Sequence, residues 1–248
     1  MTVSRLLVLG IGMGPSQVTP EVAAALKSCD YVIAARKSDN DALLAVRHAV
    51  AASFNVPVVE VRDPERDRQA SPFHYKGAVA DWHSARVEAF EAVIRERGGT
   101  VGFLVWGDPS LYDSTVRIAS SLSARLGIDY DVLPGISAPQ LLAARHKIVL
   151  HEVGNPLHIT TGRRLREAVD AGQGNILAML LRALELDGLD DWTIWWGANL
   201  GTDSEELVSG RVGDVRAAVE EARVRAKDTA GWVLDICLLR APSEPADS

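Results

Sequence analysis

Three apolar runs in the first half of the chain end in turns of small residues, and each turn leads into a helix start. Leu6–Gly10 enters Gly10-Ile11-Gly12-Met13-Gly14-Pro15, and Val101–Trp106 enters Gly107-Asp108-Pro109-Ser110-Leu111-Tyr112. Asp131–Leu133 enters Pro134-Gly135-Ile136-Ser137-Ala138. Continuous apolar strands, unlike alternating ones, suit a sheet covered on both faces, with the intervening helices as the covering layers. The repetition predicts a parallel α/β sheet. In such sheets the turns after the strands collect along one edge, where ligands bind. Residues near 12, 108 and 137 are therefore expected to border one small-molecule hollow.

Helix and strand signals fill in the rest. Thr19-Pro20 gives an N-cap hydroxyl and a proline at the first helical position. Tyr31–Ala35 and Val56–Val61 read as strands, with a helix over Asp41–Ala51 between them. Val79, Trp82, Val87, Phe90 and Ile94 fall at helical spacing, and Gly98-Gly99 stops that helix. In the polar stretch from Asp63 to Lys76, the cations Arg68, His74 and Lys76 read first as a solvated loop and second as a lid. Further helices are expected over Ser114–Leu126 and Ala138–Arg145.

The second half has short strands at Leu157–Thr161, Asn175–Leu180, Thr193–Gly197 and Trp232–Leu239, with helices at Arg164–Ala171 and Asp214–Lys227. The last elements need no crossover helix, so this sheet is expected to be mixed. Two α/β domains follow, residues 1–136 and 137–240, with a frayed polar tail at 241–248.

Composition narrows the partners. Lys+Arg 26 against Asp+Glu 33 leaves a formal charge of −7 over 248 residues. That balance argues against nucleic-acid or anionic-membrane binding. No apolar run approaches a spanning helix. The first apolar stretch is too short for a signal peptide and ends in the glycine loop, so a cytoplasmic protein is expected. Cys29 and Cys237 make no disulfide framework, and His146, His151 and Glu152 lack metal-ligand spacing, so no metal is expected.

The first loop is not a dinucleotide fingerprint. That motif needs a helix opening within it, so that amides meet a pyrophosphate. Here Pro15 removes a donor and the helix waits until Thr19. Asp108 places a carboxylate at the sheet edge, suited to a cationic ligand or to hydroxyl groups. Trp192, Trp195 and Trp196 suggest an aromatic wall, although strand alternation sends Trp195 and Trp196 to opposite faces.

The three turns, in this order, resemble those of the tetrapyrrole methylases. The stretches Val105–Thr115, Pro134–Ala138, His158–Leu165, Trp196–Gly201 and Gly231–Asp235 look like its deacetylating branch in aerobic cobalamin biosynthesis. The resemblance implies two α/β domains with the active cleft between them, and S-adenosyl-L-methionine as methyl donor. It implies methylation of precorrin-5 at C-1 with loss of acetate, giving precorrin-6A, and a homodimer. Methylation at another corrin position or of another acceptor, or a non-catalytic binding relative, are the alternatives.

By the same resemblance, cofactor contacts fall on Trp106, Gly107, Asp108, Leu111, Ser137, Ala138, Met179 and Ala198. The tetrapyrrole side falls on Gly10, Gly12 and Gly14. Such a substrate carries many carboxylates, which Arg163 and Arg164 suit through bidentate pairing. Tyr112 and His158 are the weak candidates for a general base in deacetylation. Two departures from the family pattern stand out. Pro15 directly follows Gly14 where the family has an aspartate, and Leu180 follows Met179 where the branch has an Asp-Gly pair.

Overall fold

The computed structural model describes residues 2–37, 41–64, 75–181 and 183–242, without the side chains of 75–80. The suggested lid cations Arg68 and His74, the side chain of Lys76 and residues 243–248 of the tail lie outside the described residues. The chain forms two compact units, Met1–Ser137 and Ala138–Ser248.

The first unit holds a five-stranded, wholly parallel sheet in the order β3-β2-β4-β1-β5. Its strands are β1 (Val3–Gly10), β2 (Tyr31–Arg36), β3 (Val58–Arg62), β4 (Gly99–Val105) and β5 (Tyr130–Leu133). The helices are α1 (Pro20–Lys27), α2 (Ala42–Ser53), α3 (Tyr75–Arg97) and α4 (Thr115–Leu126). Thr19 caps α1, its hydroxyl accepting from the Val22 amide at 3.2 Å, and Asp41 caps α2 through the Leu44 amide at 3.1 Å. The sheet is buried on both sides. Leu7, Leu9, Val32 and Leu104 pack with Val22, Leu26 and Val50 of α1 and α2. Leu6, Ile33, Val101 and Phe103 pack with Phe90, Ile94, Ile118 and Leu122 of α3 and α4. This two-faced burial is why the strands read as unbroken apolar runs.

The second unit begins with α5 (Ala138–His146) and holds a mixed five-stranded sheet, β6-β7-β10-β8-β9. Strands β6 (His158–Thr161) and β7 (Asn175–Met179) are parallel. Strands β8 (Thr193–Ala198), β9 (Glu206–Arg211) and β10 (Asp235–Arg240) pair antiparallel. Helices α6 (Leu165–Asp170) and α7 (Val212–Ala230) complete it. Two details differ from expectation. Strand β9 was not foreseen, because an edge strand with alternate residues exposed shows no apolar run. Residues 232–234 are not strand, because Asn199 takes their backbone groups, as described below.

Candidate active site

The turns after β1, β4 and β5 are brought together, and by backbone. Gly12 and Gly107 form a reciprocal bridge: the Gly107 amide donates to the Gly12 carbonyl at 2.7 Å and the Gly12 amide to the Gly107 carbonyl at 3.2 Å. Both residues have positive φ, +66° and +71°. A Cβ on Gly10 would lie 2.4 Å from the Gly135 nitrogen, and one on Gly135 would lie 2.2 Å from the Gly107 carbonyl oxygen. Only glycine permits this approach. The three loops thus form one continuous backbone platform at the point where the strand order reverses. The residues expected to border one hollow thus lie together, joined by main chain.

Asp108 locks the platform. One carboxylate oxygen accepts the Gly135 amide at 3.0 Å; the other accepts the Ser110 amide at 2.8 Å and also the Ser110 hydroxyl. Burial pushes the Asp108 carboxyl up, but the Ser110 hydroxyl and the Gly135 and Ser110 amides outweigh it and hold the group below its ordinary value. Asp108 is therefore a fixed anion at neutral pH, joining the second turn to the third. Nearby, the half-buried Trp106 keeps its indole N–H buried without a hydrogen-bond partner among the described residues. Ser137 is buried, Ala138 and Leu111 are half-buried, and Met13 lies beside Gly107. Gly14 leads into a 3-10 turn, Pro15–Gln17, whose Gln17 side chain accepts the Met13 amide through Oε1 at 3.0 Å.

Tyr112, the last residue of the second turn, is 48% exposed with φ +51° and lines a cavity together with Arg47. That cavity is lined by residues of α2, α3 and α4 and by the ends of β2 and β4.

In the second unit, Met179 and Ala198 come together at one end of the sheet. Met179 pairs with Ile236, which pairs with Gly197, and Ala198 pairs with Asp235. Ala198 is wholly buried in the core, between β9 and β10. Sequence reasoning missed what holds this end. Asn199, buried at φ +48°, donates its amide to Ser204 Oγ (3.1 Å) and to the carbonyls of Ala226 (3.4 Å) and Trp232 (3.2 Å). Its oxygen accepts the Leu234 amide at 2.9 Å. The Asp235 side chain, 1% exposed, accepts from Arg223 Nε at 2.7 Å, and Arg223 also donates to the Leu181 carbonyl at 3.2 Å. Burial raises the Asp235 carboxyl, with Arg223 and Trp196 opposing the rise.

Other expected residues lie as follows. Arg164 makes a bidentate pair with Glu167, at 2.8 and 2.6 Å, on an exposed face. Glu167 thus answers the positive charge at the start of α6; the i,i+3 spacing was the available signal. Arg163 is exposed beside it, and His158 is half-buried at the start of β6. Trp196 is fully buried, while Trp195 lies under the Arg240 guanidinium at 5.1 Å, as alternation requires. Leu180, after Met179, is 49% exposed and adopts φ +55°. Among the described residues, no cluster of three or more His, Cys, Asp or Glu could hold a metal ion.

A parallel sheet whose strand-end turns form a glycine platform, followed by a mixed sheet, is the architecture of a methylase family. The profile of the tetrapyrrole (corrin/porphyrin) methylases matches residues 5–216, and the chain belongs to that family. A precorrin-6A synthase [deacetylating] of Sinorhizobium sp is 39% identical over 249 residues, spanning 95% of each chain. The crystal structure of a protein of Corynebacterium diphtheriae described as cobalamin synthesis related (CobF) superposes with a TM-score of 0.81. It is 34% identical and covers 97% of this chain and 100% of its own. The uroporphyrin-III-C-methyltransferase of Thermus thermophilus shares the fold at 19% identity. Its TM-score is 0.62, over 96% of this chain and 92% of its own.

Proposed function

We propose that this chain is a C-methyltransferase of cobalamin biosynthesis that methylates precorrin-5 at C-1 and releases acetate, giving precorrin-6A. The observation that carries the reading is near-full-length identity to a protein of that name. The glycine platform supports it, since the turns that carried the family resemblance are the ones in contact.

The residues on the platform fit S-adenosyl-L-methionine. The ionised Asp108 complements a cation, and the orphaned Trp106 N–H offers a donor to an acceptor atom. When bound, the cofactor supplies an electrophilic sulfonium methyl. The protein's part is to hold donor and acceptor in line and keep water away from the methyl. In this reading Gly107, Leu111 and Ser137 shape the cofactor side of the first unit, and Ala138, Met179 and Ala198 that of the second. Gly10, Gly12 and Gly14 form the tetrapyrrole wall, with Arg163 toward the substrate carboxylates; Arg164 serves there only by leaving Glu167. Deacetylation requires water to add to the acetyl carbonyl before acetic acid departs, and a general base assists that step. Tyr112 and His158 remain the candidates for it.

We also infer a cytoplasmic homodimer, in keeping with the family; no helix among the described residues is long and apolar enough to cross a membrane. Light scattering on the purified chain tests the dimer.

Incubation with precorrin-5 and methyl-labelled S-adenosylmethionine, following label in the ring and free acetate, tests the reaction. Label without acetate points to another position or acceptor. Neither, in a protein that binds S-adenosylhomocysteine, points to a non-catalytic relative. Asp108→Ala is expected to weaken S-adenosylhomocysteine about tenfold by calorimetry, as loss of a charge-assisted contact does. An affinity within twofold of the parent removes Asp108 from the cofactor site.

A further inference from the structure

A cavity of about 330 Å³ opens in the first unit between the ends of β2 and β4 and helices α2, α3 and α4. It lies at the small end of ligand pockets, too small for a four-ring macrocycle and ample for a side arm. Lys37, Arg47 and Arg117 bring positive charge to its wall, and Tyr112, Ser114 and Thr115 bring hydroxyls.

The charges on this wall are not equivalent. Arg86 is committed: its guanidinium donates to both oxygens of Asp63, at 2.8 and 2.7 Å, and lies 4.1 Å over the Trp82 ring. Asp113 is committed too, its carboxylate accepting the Thr115 amide at 2.6 Å at the start of α4. Arg47 differs. Its Nε donates to the Leu104 carbonyl at 2.9 Å, which fixes the plane of the guanidinium. Its two terminal nitrogens make no hydrogen bond or ion pair among the described residues. Burial lowers the basicity of this group, while Asp41 and Asp113 act on it only at longer range and in the opposite sense. Arg47 is half-buried, and a partly desolvated guanidinium whose fork is open among the described residues favours a planar anion, which a carboxylate is.

We propose that this cavity is a carboxylate subsite, in which the terminal nitrogens of Arg47 pair one carboxylate arm of the tetrapyrrole substrate. Lys37 and Arg117 add attraction at the wall, and the hydroxyls satisfy the remaining lone pairs. The proposal deepens the reading given under Proposed function, because it takes the substrate class from there. It places recognition of the ring's periphery on residues that carry no part of the methyl transfer.

The test compares the full chain with Arg47→Met and Arg47→Lys, using uroporphyrin, a stable polycarboxylate tetrapyrrole, as a fluorescent probe. Arg47→Met is expected to weaken uroporphyrin at least about tenfold, as truncating one partner of a buried charge pair does. Arg47→Lys, which keeps the charge and loses the fork, recovers part of that loss. S-adenosylhomocysteine affinity stays within twofold in both. Uroporphyrin binding within twofold of the parent in Arg47→Met, or no binding by the parent, overturns the subsite. If Arg47→Met does not fold, Arg47→Lys decides, with affinity unchanged from the parent as the overturning result.

Kinetics separate this inference from the reaction it rests on. A parent that fails to turn over precorrin-5, while uroporphyrin affinity still depends on Arg47, sinks the reaction and keeps a carboxylate site. Turnover with KM unaltered in Arg47→Met does the reverse. Acetate that inhibits the parent but not Arg47→Met, again with KM unaltered, assigns the cavity to the released fragment and overturns the arm.

Discussion

Both units place their candidate residues at the ends of central strands, but they make those ends from different material. In Met1–Ser137 the ends meet mainly through main chain: Gly10, Gly12, Gly107 and Gly135 lie against one another, and the Asp108 carboxylate ties the second turn to the third. In Ala138–Ser248 the ends are held by buried polar side chains, Asn199 across a loop and Asp235 against Arg223. The first arrangement is sensitive to added atoms. The second is sensitive to lost charge or lost hydrogen bonds.

The strongest way to break this contrast is a matched pair of alanines. Gly135→Ala puts a Cβ into the Gly107 carbonyl, and backbone cannot yield without breaking the Asp108 contact. It is expected to cost about 4 kcal/mol or more, roughly 10 °C in a thermal melt, or to prevent folding. Gly197→Ala meets the methyl ends of Leu200, Leu142 and Leu207, at 2.8, 3.0 and 3.3 Å, side-chain ends that can shift where backbone cannot. Its expected loss is about 1–2 kcal/mol. Equal losses would erase the distinction.

Removing charge should hurt the second unit. Arg223→Met leaves Asp235 buried without its cation, with an expected loss of about 3 kcal/mol by chemical denaturation. A loss under about 1 kcal/mol would show that the pair is not what holds this strand end.

The two carboxylates sharpen the contrast through pH. Asp108 is held below its ordinary value, so its stabilisation is complete above the unfolded-state pKa and is lost as pH falls through the folded value. Asp235 is raised, so the native state holds its proton more tightly. Its charged form weakens folding progressively as pH rises from the unfolded toward the folded pKa, and fully above it. Carboxyl-carbon NMR should therefore place the Asp108 midpoint below the usual aspartate range and the Asp235 midpoint above it. Midpoints in the opposite order would refute both assignments.

The smallest effect is expected at Leu180, exposed and held in the left-handed region. Leu180→Gly relieves that conformation and gives back part of the gain as unfolded-chain entropy, for a net stabilisation of about 0.5 kcal/mol. Destabilisation beyond about 1 kcal/mol would mean that the leucine side chain makes contacts that outweigh its backbone strain.

The same contrast explains what could be read from the residues alone. The parallel sheet, its platform and the alternation of Trp195 and Trp196 follow from local signals: apolar runs, glycine turns and a period of two. The second unit yields less because its decisive contacts join residues far apart in the chain. Asn199 satisfies Trp232 and Leu234 through its side chain, so a stretch with strand composition stays irregular. Strand β9, polar and on the edge, carries no apolar signature. The Arg47 cavity is assembled from three helices and two strands, and nothing near Arg47 in sequence announces that, among the described residues, its guanidinium is left with an open fork.

The paired amide bonds between Gly12 and Gly107 have a consequence for anyone redesigning this protein. Neither loop can be re-aimed alone, since each supplies both a donor and an acceptor to the other. Transplanting the segment after β4 from a homologue would require its companion after β1 to travel with it. Changes of specificity by loop exchange should therefore succeed in coupled pairs and fail one at a time.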